Sequence, residues 1–135
     1  MDDELELQLK ETIENLEIVD TVVLDFQEKL DGNSAIIISI DKINNIQPYL
    51  DKQGNLIEYQ ATIFGIWKSD DNPSEIIEQR NHAIRELLST FIKTRLGNSE
   101  VTVTSCDKNV WRDRTNDTRY YFAFQMTLKI KKIII

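Results

Sequence analysis

Residues 72–97 read NPSEIIEQRNHAIRELLSTFIKTRLG, and this stretch carries both ends of a helix in its own letters. Asn72 can cap the first turn. Pro73 suits the first helical position, where its missing N–H costs nothing, and Glu75 can reach back to complete a capping box. Ile76, Ile77, Ile84, Leu87, Leu88, Phe91, Ile92 and Leu96 then make one apolar stripe. Lys93 and Arg95 suit the last turn, and Gly97 is the expected C-terminal stop. The pattern predicts one long helix from about Pro73 to Leu96.

Downstream, residues 119–131 alternate strictly. Tyr120, Phe122, Phe124, Met126, Leu128 and Ile130 take one face; Tyr121, Ala123, Gln125, Thr127, Lys129 and Lys131 take the other. That is a one-sided antiparallel strand. Val101 and Val103 alternate with Thr102 and Thr104 in a shorter strand, and the polar stretch 107–118 reads as a loop.

Upstream, residues 57–68 (IEYQATIFGIWK) place Ile57, Tyr59, Ala61, Ile63 and Trp67 on one face, with Gly65 marking a bulge or a close backbone approach. Residues 44–55 are polar and contain Pro48 and a Gln53-Gly54-Asn55 turn, so they read as a loop. Residues 21–28 (TVVLDFQE) and 35–40 (AIIISI) flank Asp31-Gly32-Asn33, a hairpin signal. An extension of the first helix over Val19 to Leu30 stays open. Leu5, Leu9, Ile13 and Leu16 form an amphipathic helix of about four turns, with acids at its start to favour the helix dipole. The resulting order is α-β-β-β-α-β-β. It predicts a single α+β domain over residues 1–135, with a mostly antiparallel sheet, one long central helix and an N-terminal helix.

The bulk numbers agree with one core. The chain has 135 residues, 41% of them hydrophobic and 29% charged, with four Gly and two Pro. No apolar run approaches a bilayer span of roughly 20 residues, and the acidic start lacks signal-peptide character, so a cytosolic origin is the default expectation. The net charge of -7 argues against broad nucleic-acid binding. That charge is uneven: eleven acids and two bases in residues 1–31, seven bases and two acids in residues 108–132. Two readings are open. The ends pack together and neutralise each other within one subunit, or they form self-complementary patches between subunits.

No catalytic constellation emerges. His82 is the only histidine and lies nearly opposite the apolar stripe of its helix, toward solvent or a partner. Cys106 is the only cysteine and reads as a half-buried strand-end residue, since Lys108 alone is a weak activator of a thiol. Asp70-Asp71-Asn72 lacks the loop of a calcium site and is better read as a helix start. The phosphate-cradling and nucleophile-elbow motifs are missing. The expectation is therefore no enzyme, no metal and no cofactor.

What stands out is surface. Residues 108–114 (KNVWRDR) form a basic and aromatic patch, in which Trp111, Arg112 and Arg114 suit a protein contact better than nucleic acid. Trp111 folded onto the core is the plain alternative. Ile133, Ile134 and Ile135 end the chain and either prolong the last strand or dock on a neighbour. Tyr49, in the polar loop 44–56, and Arg119 complete the candidate contacts.

This layout resembles the tail terminator (tail completion) proteins of long-tailed bacteriophages. The elements that carry the likeness are the N-terminal helix, the following strands, the helix EIIEQRNHAIRELLSTFI and the final RYYFAFQMTLKI, over roughly residues 1–132. It rests on size, order and pattern, without a signature motif. The resemblance implies a structural virion protein that forms a homohexameric ring on the end of the tail tube. The ring stops tube polymerisation and offers a surface to the head connector. It implies no catalytic residue. It makes loops 44–56 and 107–118 candidates for axial contacts with tube and connector, and an acidic lumen would let DNA pass without specific binding. Two other readings compete: another neck or head–tail joining protein, and a monomeric α+β module with an apolar ligand or peptide pocket around Tyr59, Trp67 and Trp111.

Overall fold

The computed structural model describes residues 3–25, 32–48, 54–69, 73–93, 96–97, 99–112 and 120–134. In chain order the elements are α1 (Asp3–Glu14), β1 (Thr21–Leu24), β2 (Ser34–Pro48), β3 (Asn55–Ser69), α2 (Pro73–Lys93), β4 (Glu100–Arg112) and β5 (Tyr120–Ile134). The fold is α+β. Five strands make one mixed sheet in the order β1-β2-β3-β5-β4. Both helices pack on the same face of it, α1 over β1 and β2, and α2 over β3, β4 and β5.

Each element follows from local physics. α1 has Asp3, Glu4 and Glu6 in its first turn, where carboxylates oppose the positive helix end. It buries Leu5, Leu9 and Ile13 completely. The chain then leaves the helix through Glu17, which sits in the left-handed region at φ 53°. α2 begins at Pro73 and buries Ala83, Ile84, Leu87 and Phe91. One member of the expected stripe departs from it: Ile92 is 73% exposed. At about 100° per residue it lies roughly 120° from the centre of the buried face. The helix closes at Lys93, and Leu96 is buried beyond it, bridged to Ser99 around Gly97 at φ 57°.

The strands supply the other half of the core. β3 and β5 run antiparallel with Tyr59 opposite Ile130, Ala61 opposite Leu128, Ile63 opposite Met126 and Trp67 opposite Phe122. All eight are buried, as the alternation requires. Gly65 is a close approach and not a bulge. It pairs with Phe124 without a register shift, and a Cβ there would fall within 2.9 Å of Phe124 Cδ1. The Phe124 ring lies over that bare backbone and against Trp67, with centroids 5.8 Å apart.

The strand arrangement corrects two expectations. First, β1 and β2 are not a hairpin; they run parallel, with Thr21 opposite Ala35 and Leu24 opposite Ile38. Polar side chains tie the starts of the two strands together. Asp20 N–H donates to Ser34 Oγ at 2.9 Å, and Asn33 N–H donates to Asp20 Oδ2 at 3.0 Å. Asp25 then turns away at φ 62° while its N–H donates to Ile38 O at 2.8 Å. Phe26, expected in this strand, lies outside the described residues, and residues 21–24 are strand, not extended helix. Second, much of the polar stretches 44–55 and 107–118 is sheet. Residues 44–48 belong to β2, Asn55 opens β3, and residues 107–112 belong to β4. Their backbone groups are paired across β3 and β5, so ladder bonds carry segments that have little apolar content. Two long antiparallel arms result, β2–β3 and β4–β5.

Candidate interaction surface

Among the described residues neither helix covers the second face of the sheet. On β3 and β5 this face sets Gln60 opposite Lys129, Thr62 opposite Thr127 and Phe64 opposite Gln125. Lys129 Nζ lies 3.9 Å from Glu58 Oε1 on the diagonal, a partly exposed pair of small energetic weight. The Thr62 hydroxyl donates to Asp41 Oδ2. Ile37, Ser39, Asp41, Thr62, Phe64 and Gln125 surround an open cleft of about 320 Å³. Ile37 is buried although it lies on this face. The patch is mixed in character, polar around an apolar floor.

His82 is exposed on α2 and lines a second cleft of about 330 Å³ with Glu17, Asp20, Ser34 and Gln79. Among the described residues no three His, Cys, Asp or Glu side chains are placed to hold a metal ion. Cys106 is half-buried as expected, but in the middle of β4 and not at a strand end. Burial pushes its thiol above the ordinary range; Asp107 adds to the rise, and Lys108 pulls weakly the other way. A thiol held protonated is a poor nucleophile.

One residue was missed by the sequence reading. Arg80 is only 7% exposed. Its guanidinium sits 5.9 Å from the Phe122 ring centroid, and its Nη2 reaches Asn81 Oδ1 only at 3.5 Å. Among the described residues its Nε has no hydrogen-bond partner. Desolvation lowers its pKa from the ordinary arginine value. The signal was available: at about 100° per residue, position 80 falls in the middle of the arc spanned by Ile84, Leu87 and Phe91. A charged residue type hid a core position.

The expected contact residues are dispersed. Trp111 and Arg112 lie within β4, in register with Tyr121 and Tyr120, where a loop was expected. Ile133 and Ile134 prolong β5, opposite Leu56 and Asn55, and Ile133 is 37% exposed. Tyr49, Arg114, Arg119 and Ile135 lie outside the described residues. The acidic start and basic end do meet within the subunit, with Lys132 Nζ 3.9 Å from Glu4 Oε2. No protein-family model matches this chain, and no curated protein matches it.

Proposed function

We propose that this chain is a structural virion protein, the tail terminator of a long-tailed bacteriophage. In this reading its subunits form a homohexameric ring that caps the tail tube, stops its polymerisation and presents a surface to the head connector. α2 serves as the long central helix of the subunit. DNA passes through the lumen without specific binding, and the protein is made in the host cytoplasm before joining the virion. It works as a scaffold and not as an enzyme.

The observation that carries the reading is the layout itself. The order α-β-β-β-α-β-β folds as one helical layer on one sheet. Two strand arms, β2–β3 and β4–β5, give a small acidic subunit long edges for neighbours and axial partners. Another neck or head–tail joining protein would use the same features. The cleft around Ile37 and Phe64 favours a second reading, a monomeric module that holds a peptide or ligand on the open sheet face.

Native mass spectrometry over a wide concentration range tests the proposal. A discrete hexamer is expected. A monomer at every concentration, with a peptide or small ligand retained, would overturn it in favour of the binding module.

A further inference from the structure

Residues 34–40 read SAIIISI, a run without charge, proline or glycine. Short β-rich runs of this kind pair with copies of themselves wherever their backbone edge is open. The run forms the first half of β2, in unbroken register with β3 from Ser34 opposite Trp67 to Ile40 opposite Ala61. One of its edges is bonded to β3. The other is closed by β1, which pairs with Ala35 to Ile38.

The remaining outer edges among the described residues are blunted by other means. Beyond Ile40, β2 has register shifts between Ile40 and Lys42 and between Ile43 and Asn45. It also carries exposed Asp41 and Lys42 and ends at Pro48. At the opposite edge, β4 shifts register between Val103 and Ser105 and exposes Glu100, Asp107 and Lys108. β1 itself is only four residues long, bracketed by Asp20 and Asp25. Bulges, charges, proline and short strands all keep a sheet edge from pairing with another chain. Residues 35–38 have none of these and depend on the strand that lies over them.

That strand is lightly held. All four residues of β1 are only partly buried, while none of Ala35, Ile36, Ile37 and Ile38 is more than 2% exposed. The chain enters and leaves β1 through two non-glycine residues in the left-handed region, Glu17 at φ 53° and Asp25 at φ 62°, and both conformations work against the strand. A clasp offsets this strain. At one end Asp20 N–H donates to Ser34 Oγ and Asn33 N–H donates to Asp20 Oδ2; at the other Asp25 N–H donates to Ile38 O. The first end needs Gly32. Its φ is 84°, and a Cβ there would fall 2.9 Å from Asp20 Cβ.

We propose that β1 is a protective strap. It opens locally while the rest of the sheet stays folded, and the Asp20–Ser34–Asn33 clasp sets how often the SAIIISI edge is exposed to a second copy of this chain. The strap is a property of the subunit and does not rest on the ring reading.

Hydrogen exchange followed by mass spectrometry tests the opening. The amides of Thr21 to Leu24 should exchange at least about tenfold faster than those of Ala61 to Ile63. Ser34→Ala leaves Asp20 N–H without its acceptor and should speed exchange in β1 about fivefold. The same variant should gain light scattering and thioflavin fluorescence at concentrations where the wild type keeps a constant mass. Gly32→Ala loosens the clasp by a different route and should behave alike. Half-buried Ser39 lies opposite Thr62 on the open face of the same run, outside the part that β1 covers. Adding Ser39→Lys to Ser34→Ala should abolish the association, because a charge in the run blocks its pairing, and should leave the faster exchange in place. Equal exchange in β1 and β3 would overturn the strap. Faster exchange in both clasp variants without association, or association that persists with Ser39→Lys, would overturn its protective role.

Discussion

Replacing Arg80 with methionine should stabilise the protein, and the reason can be worked from the geometry. The guanidinium is nearly buried, its Nε has no partner among the described residues, and its contact to Asn81 Oδ1 at 3.5 Å is at the limit of a hydrogen bond. A buried donor left unpaired costs about 1–3 kcal/mol. Against this, the guanidinium gains about 0.5–2 kcal/mol from the face of Phe122 at 5.9 Å. Methionine keeps the apolar stem that packs under the helix and removes the unpaired donor. The net expectation is a gain of about 0.5–1 kcal/mol, or roughly 2–4 °C in Tm for a domain of this size. Alanine behaves differently. It removes two methylenes at about 0.8 kcal/mol each and leaves a cavity, so Arg80→Ala should be less stable than wild type. The predicted order is methionine above arginine above alanine, read by thermal melting followed by circular dichroism. A methionine variant that melts several degrees below wild type would refute the reasoning, because it would show that the charge is a net stabiliser in its place. If methionine raises Tm but lowers the hexamer fraction, the buried charge is retained for assembly and not for folding.

Other expected outcomes follow from single residues. Gly65→Ala puts a methyl group into the Phe124 ring and should cost about 1–3 kcal/mol in urea unfolding; an unchanged midpoint would mean that the ring moves aside freely. Cys106 should alkylate several-fold more slowly than free cysteine near neutral pH, since burial and Asp107 raise its pKa. The fold favours the protonated thiol, so that part of stability is present below the ordinary thiol pKa and lost as pH rises through the raised value. Wild type should therefore lose stability in mild alkali more steeply than Cys106→Ser, and parallel pH curves would contradict it. The hexamer described above completes the set.

What the chain announces on its own is local. Pro73 and the stripe of Ile84, Leu87 and Phe91 specify a helix through neighbours three and four residues apart. The alternation from Phe122 to Ile130 specifies a strand and its buried face through neighbours two apart. Those signals are complete within a dozen residues, so they can be read without the rest of the molecule. Pairing is different. Asp31-Gly32-Asn33 resembles a hairpin turn, yet the bonds from Asp20 to Ser34 and Asn33 join strand start to strand start and make β1 parallel to β2. The polar residues of 44–48 look like loop because their side chains have no apolar period. They are strand because β3 offers their backbone a ladder. Arg80 looks like a surface residue until the packing of α2 over β5 buries it. Ile40, Ile43 and Ile46 are the clearest case. Isoleucines at every third position do not share one face of a regular strand, and only the two bulges of the folded sheet put them on one face. The sequence by itself determined the two helices and the apolar-patterned centres of the strands, because those depend on near neighbours. Strand direction, sheet order and the presented surface were decided only in the tertiary structure, because they depend on which distant backbone edge is free to pair.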